Sequence, residues 1–212
     1  MAPVPPSDAP DHAKPSVYES GNYWQRRSDM IYYDYVDLFV RTIGVNARSM
    51  IDVGSGNCPY LDWFDWIPRR VSVDINKPYS SPGVTAVKGD IFKLDFGARF
   101  DLCTCFQVLE HVPDARLFAR RLLELAPLVL VSVPYRWPKS PPTKGHIHDP
   151  VTYFKLTRWM GRRANYHQIV QEPFQTRKGA RLFALYAADP HRRFGSEDVK
   201  TRIPPRDSAL RH

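Results

Sequence analysis

The chain has 212 residues, 43% of them hydrophobic, enough for one domain with a full core. Its three cysteines, an odd count, argue against a disulfide framework, and no stretch approaches the roughly 20 apolar residues of a membrane span or the h-region of a signal peptide. A cytoplasmic protein is therefore expected. The formal charge of +8 is uneven: residues 1–150 hold 17 basic and 17 acidic side chains, so the whole excess falls in residues 151–212. A solvated basic face is the simpler account, because the arginines are scattered and no RNA-binding module is evident.

Of twenty prolines, twelve gather near the N-terminus, between Pro134 and Pro150, and at Pro204–Pro205. They suggest a disordered leader over residues 1–16, a domain over 17–188 with a shaped loop, and a flexible basic tail over 189–212. Ahead of the first helix lies the aromatic stretch Tyr18–Trp24. The helix itself is expected from about Gln25 to Ile43, with Ile31, Tyr35, Leu38 and Phe39 at helical spacing and Gly44 as its stop.

Ser49–Val53 reads as a buried strand, followed by the glycine turn Gly54-Ser55-Gly56 and by Pro59 at a first helical position. The segment Tyr60–Ile67 then reads as a short helix ending at Pro68. A second strand, Val71–Asp74, ends in a carboxylate placed to accept from two ribose hydroxyls. A third, Val84–Lys88, leads to Asp90, whose carboxylate suits an adenine amino group with apolar Ile91 against the ring. A fourth, Phe100–Phe106, puts Cys103 and Cys105 on one buried face and runs into Gln107-Val108-Leu109-Glu110-His111-Val112.

Asp114 is a natural cap for a helix reaching Pro127, and Leu128–Val133 is a fifth buried strand. After the proline-bounded loop, a helix over about Pro150–Met160 is expected with Asp149 as its cap and Gly161 as its stop. Two closing strands follow near Tyr166–Gln171 and Arg181–Ala187, as an antiparallel pair. Alternating strands and helices of this kind imply parallel crossover units, with ligands at the carboxyl ends of the strands.

The glycine turn, the acids at 74 and 90, and the run FDLCTCFQVLEHV together resemble the class I S-adenosylmethionine-dependent methyltransferases, in particular the type 11 group, over about residues 45–135. The resemblance implies an α/β three-layer Rossmann-like fold, with a mostly parallel seven-stranded sheet closed by a C-terminal antiparallel hairpin. It also implies S-adenosylmethionine as cofactor, with S-adenosylhomocysteine as product, held by Asp52, Gly54, Ser55, Gly56, Asp74, Ile75, Asp90, Ile91 and Gln107. Tyr23 and Trp24 are expected over the methionine end, and Tyr135 and Trp137, leaving the fifth strand, beside the acceptor.

An alcohol acceptor needs a base, worth about 10²–10⁴-fold. His146 is the first candidate, then His148, which shares its face if the segment is extended, then His111. His146, His148 and Asp149 are also conceivable metal ligands, but magnesium prefers carboxylate oxygen to imidazole, so no metal is expected. The compact frame resembles small sugar O-methyltransferases of methylmannose polysaccharide synthesis. A small-molecule or oligosaccharide acceptor is therefore expected, with no membrane or nucleic-acid partner, on a monomer or homodimer. The alternatives are an RNA or protein methyltransferase using the basic third, and a non-catalytic binding module on the same fold. A dinucleotide dehydrogenase is disfavoured by Pro59 in place of a third glycine.

Overall fold

The structure, a computed structural model, describes residues 24–54 and 56–205. The expected leader, Tyr23 and Ser55 lie outside them. Seven strands form one sheet in the order β3-β2-β1-β4-β5-β7-β6: β1 Ser49–Val53, β2 Arg69–Asp74, β3 Val84–Lys88, β4 Leu102–Phe106, β5 Leu128–Pro134, β6 Tyr166–Gln171 and β7 Ala180–Ala187. The first five run parallel; β7 pairs antiparallel with both β5 and β6. This is the Rossmann-like arrangement with a closing hairpin that the sequence implies.

Strand pleating divides the core. Ile51, Val53, Cys103 and Cys105 face one side and pack against α2 (Ala115–Leu125) and α3 (Tyr153–Met160). Met50, Leu102, Phe106 and Leu130 face the other, against α1 (Ile31–Ile43) and a 3₁₀ segment over Pro59–Phe64. Neither the β2–β3 nor the β3–β4 connection carries a helix. Edge strand β3 is accordingly exposed at Thr85, Ala86 and Lys88.

Three local expectations shift. The first helix starts at Ile31, after a turn over 24–29, and buries Tyr32, Tyr33, Val36, Phe39 and Val40. Of the expected stripe only Phe39 is fully buried. Asp37 and Arg41 disguise the true face: they are buried as an ion pair 2.8 Å apart, and two charges at helical spacing read as a solvent side. The segment after Cys58 is a 3₁₀ helix ending at Phe64. Helix α3 is capped by Thr152, whose hydroxyl accepts from the Lys155 amide at 3.1 Å, because Asp149 is engaged elsewhere. Asp114 caps α2 as expected, accepting from the amides of Arg116 and Leu117.

Where a flexible tail is expected from position 189, residues 189–205 carry a short helix, α4 (Ser196–Lys200), and return to α1. The Ile203 amide donates to Arg41 O, and Arg41 donates to Pro204 O. Among the described residues no helix is long and apolar enough to cross a membrane.

Candidate active site

The carboxyl ends of β1, β2 and β4, with the turn after β3, surround a cavity of about 340 Å³. Its floor is the glycine turn. Gly54 has φ +84°, and a side chain there would come within 2.4 Å of Val108 Cγ2. Gly56, at φ +57°, has open space where a Cβ would stand, so a ligand can reach its backbone. Asp74 lines the cavity and also builds the turn. Its Oδ1 accepts from the amides of Asn76 (2.8 Å) and Lys77 (3.0 Å), and its Oδ2 from the Gly56 amide at 3.1 Å. A carboxylate has about four acceptor positions, so one remains for a ligand hydroxyl; a second needs the Gly56 amide to give way.

Asp90 also lines the cavity, with Oδ1 accepting from the Phe92 amide at 3.0 Å. Beside it Ile91 is buried, while Ile75 stands exposed across the opening. Gln107, the residue after β4, has φ +57°, a region where residues other than glycine are uncommon and which recurs at functional sites. Its amide donates to Ser132 O (2.9 Å) and its Nε2 to Ser132 Oγ (3.2 Å). Asp52 stands apart from the cavity lining. It is a fully buried residue of β1, accepting from Tyr60 Oη and Thr104 Oγ1, and burial pushes its pKa up to about 6.

A smaller cavity of about 60 Å³ adjoins the first, sharing Gly54, Gly56 and Gln107 and adding Arg27, Tyr32 and Arg181. Tyr32 Oη bonds Ser132 Oγ at 2.7 Å, so Gln107, Ser132 and Tyr32 form one chain of hydrogen bonds. Arg181 is buried 5.1 Å over the Tyr32 ring and 3.7 Å from Glu172. Neither Tyr32 nor Arg181 is among the residues expected at the site from sequence. A signal existed: a charge inside a strand as apolar as β7 needs partners, and so marks a polar site.

The expected bases separate. His146 Nδ1 lies 2.8 Å from Asp149 Oδ2, both side chains nearly buried, and its ring stacks on Trp137 at 5.5 Å and 14°. His148 does not share that face. Its Nε2 bonds Val112 O at 2.8 Å and its ring packs on Trp159, because the loop turns at Thr143–His146 instead of running extended. His111 lines the large cavity, with Nδ1 2.9 Å from Gly145 O and its ring edge-on to His146 at 4.7 Å. Burial lowers its pKa below the usual value. The loop is laced to this turn, since the Ile147 amide donates to Glu110 O.

Glu110, read from sequence only as part of a structural run, is fully buried beside the two rings. Burial pushes its carboxyl up to about 8, against the opposing pull of its own nearby amide. Neither of its oxygens completes a hydrogen bond among the described residues.

The aromatic expectations hold less ground. Trp137 is buried, its Nε1 donating to Ala180 O, and it supports His146 instead of offering a face. Tyr135 is half-buried against the core on the α2–α3 side. Trp24 packs edge-on against Tyr33, which lines the smaller cavity, and beside Trp63, and itself lines neither cavity.

Residues 51–125 match the family described as "Methyltransferase domain". No curated protein matches the chain. Among solved structures, the methyltransferase domain of bacterial CtHen1 is 16% identical, with a TM-score of 0.54 over 74% of this chain and 97% of that one. The N-methyltransferase NodS from Bradyrhizobium japonicum, crystallised with S-adenosylhomocysteine, is 12% identical, with a TM-score of 0.57 over 80% and 93%. The 1,6-didemethyltoxoflavin-N1-methyltransferase of Burkholderia thailandensis, also with S-adenosylhomocysteine, is 19% identical, with a TM-score of 0.53 over 78% and 84%. The chain thus shares the fold of these methyltransferases, and the match of residues 51–125 to the methyltransferase domain family implies S-adenosylmethionine as cofactor.

Proposed function

We propose that the protein moves a methyl group from S-adenosylmethionine to an oxygen of a small or oligomeric acceptor, with sugar hydroxyls as the first class to try. The cofactor part rests on the large cavity. Asp90 has an acceptor oxygen for the adenine amino group, Asp74 one for a ribose hydroxyl, and the glycine turn admits a ligand to its backbone. In the transfer the carbon–sulfur bond breaks with its electron pair left on sulfur, and the oxygen–carbon bond forms. Holding the two in line supplies up to about 7–11 kcal/mol. The positively charged sulfur would depart as a neutral thioether, a good leaving group, so the demanding part for this chain is removing the hydroxyl proton.

The observation that carries the oxygen acceptor is the buried His146–Asp149 pair next to the cavity. A carboxylate on Nδ1 fixes the ring tautomer and its orientation, leaving the lone pair on Nε2 to take a proton from a hydroxyl. A nitrogen acceptor, which the two neighbouring N-methyltransferases are named for, has less need of such a pair.

Calorimetry with S-adenosylhomocysteine, followed by labelled methyl transfer to a panel of hydroxyl and amine acceptors, tests the proposal. Micromolar binding that Asp74→Ala weakens at least tenfold is expected, together with label on oxygen. His146→Ala is expected to cut turnover about 10²–10⁴-fold while leaving cofactor affinity unchanged. Absence of binding removes the enzyme reading, and label found on nitrogen removes the oxygen acceptor.

A further inference from the structure

The geometry points to a site for a divalent transition-metal ion at the edge of the cofactor cavity, formed by Glu110, His111 and His146. One donor atom from each of the three lies within 4.8 Å of the others. What distinguishes the group from a chance cluster is how each member is held. His111 Nδ1 faces Gly145 O at 2.9 Å, and His146 Nδ1 faces Asp149 Oδ2 at 2.8 Å. A carbonyl and a carboxylate can only accept, so in each neutral ring the proton sits on Nδ1 and the lone pair on Nε2. A carbonyl or carboxylate behind the far nitrogen is the usual support of a metal-binding imidazole, and here both rings have it. Trp137 fixes the plane of the His146 ring, and the two histidine rings stand perpendicular.

Glu110 supplies the independent observation. Its carboxylate is fully buried, both oxygens lack a hydrogen bond among the described residues, and Oε1 is 3.9 Å from His111 Nε2. A buried carboxylate without donors is costly unless a cation or proton satisfies it. Asp149 Oδ1 is buried without a hydrogen bond in the same way. Ligands about 2.1 Å from an ion stand roughly 3 to 3.4 Å apart, so the widest pair needs to close by up to about 1.4–1.8 Å.

Two imidazoles with one carboxylate, and coordination positions left open, suit manganese, cobalt or zinc better than magnesium, which prefers an all-oxygen shell. Because His111 also lines the cofactor cavity, an acceptor hydroxyl there can occupy an open position on the ion. A cation held there would make such a hydroxyl more acidic, with its proton passing to water, while without the ion the same His146 Nε2 is the base proposed above. The inference rests on the proposed methyltransferase reading for its purpose, though not for its geometry.

The test is a titration of chelator-treated, full-length protein with Mn²⁺, Co²⁺ and Zn²⁺, followed by calorimetry and by the visible absorption of bound Co²⁺. One equivalent is expected to bind, with a Co²⁺ spectrum unlike that of the aqueous ion. Glu110→Gln and His111→Ala should each weaken binding more than tenfold, and Asp149→Asn about 10–100-fold. The exposed His191→Ala should bind as the parent does. S-adenosylhomocysteine affinity, measured on each variant, shows that the fold and cofactor site persist. No saturable binding by the parent, or equal binding by Glu110→Gln and the parent, overturns the metal site while leaving the cofactor reading in place. Metal binding without S-adenosylhomocysteine binding sustains the site and removes the enzyme reading instead.

Discussion

Asp52 occupies a position where a charge is held at a disadvantage. Burial is the main cause of its raised pKa; the Asp74 charge adds to it, and the hydroxyls of Thr104 and Tyr60 partly offset it. Between its ordinary value of 3.8 and the folded value of about 6, the native state binds the proton that the unfolded chain releases. This contribution to stability is full at acid pH and is lost as pH rises through about 6, amounting to about 3 kcal/mol. Asp52→Asn removes the titration while keeping the shape, and the two hydroxyls can rotate to suit an amide. In urea denaturation of the cofactor-free protein, the variant is expected to match the parent near pH 4 and to exceed it by up to about 3 kcal/mol at pH 7. A stability difference that is the same at both pH values would show that Asp52 is not protonated in the acid native state. The residue was expected among those that hold the cofactor; that it lies outside the cavity lining was not legible, because Tyr60 and Thr104 reach it from positions eight and 52 residues away.

At the scale of elements, α1 depends on a partner that its own sequence does not contain. Its first amides, Ile31 and Tyr32, donate to Glu172 at 3.2 and 2.8 Å, while Met30 at the cap position offers no side-chain acceptor. Glu172 is buried and 3.7 Å from Arg181, so one carboxylate caps the helix and neutralises the arginine in the smaller cavity. Glu172→Gln keeps the size and one acceptor but loses the charge, at a cost of about 1–3 kcal/mol. For a domain of this length about 2 kcal/mol lowers Tm by roughly 4–8 °C. Hydrogen exchange is expected to speed at the amides of residues 31–36 before it does in the sheet; uniform loss of protection across α1 and β4 would mean the carboxylate is not a local cap.

Elements whose signals are local were legible. The strands follow from short apolar runs between turn residues, the α2 cap from Asp114, and the end of α3 from Gly161 in the left-handed region. The candidate site was legible in the same measure. Gly54, Asp74 and Asp90 lie at or within two residues of strand ends, and strand ends can be placed from the chain itself. The start of α1, the separation of His146 from His148, and the role of Glu110 depend on contacts between distant segments. No periodicity encodes those contacts.

The charge imbalance belongs to the whole molecule, and the fold consumes much of it. Arg181 is buried under two aromatic rings, and Arg162 donates to Ala187 O and lies over Tyr186. Arg192 pairs with Asp198, Lys200 with Glu197, and Lys155 and Lys178 tie down His148 O and Pro141 O. Several cations of the basic third thus fasten the loop over the site, the closing hairpin and the segment that returns to α1. A surface that grips a polyanion needs cations that can each displace a counterion from a phosphate. Affinity then falls steeply with salt, by about 10³-fold or more between 50 and 200 mM for six or more contacts. For an uncharged acceptor, KM is expected to change by less than about twofold across that range, since only weak long-range fields are screened. The salt series should be run with S-adenosylmethionine saturating, so that any effect on the cofactor's own charge is excluded. A steep loss for the best acceptor found would mean that the basic third binds substrate, and would move the acceptor from a sugar hydroxyl to a nucleic acid.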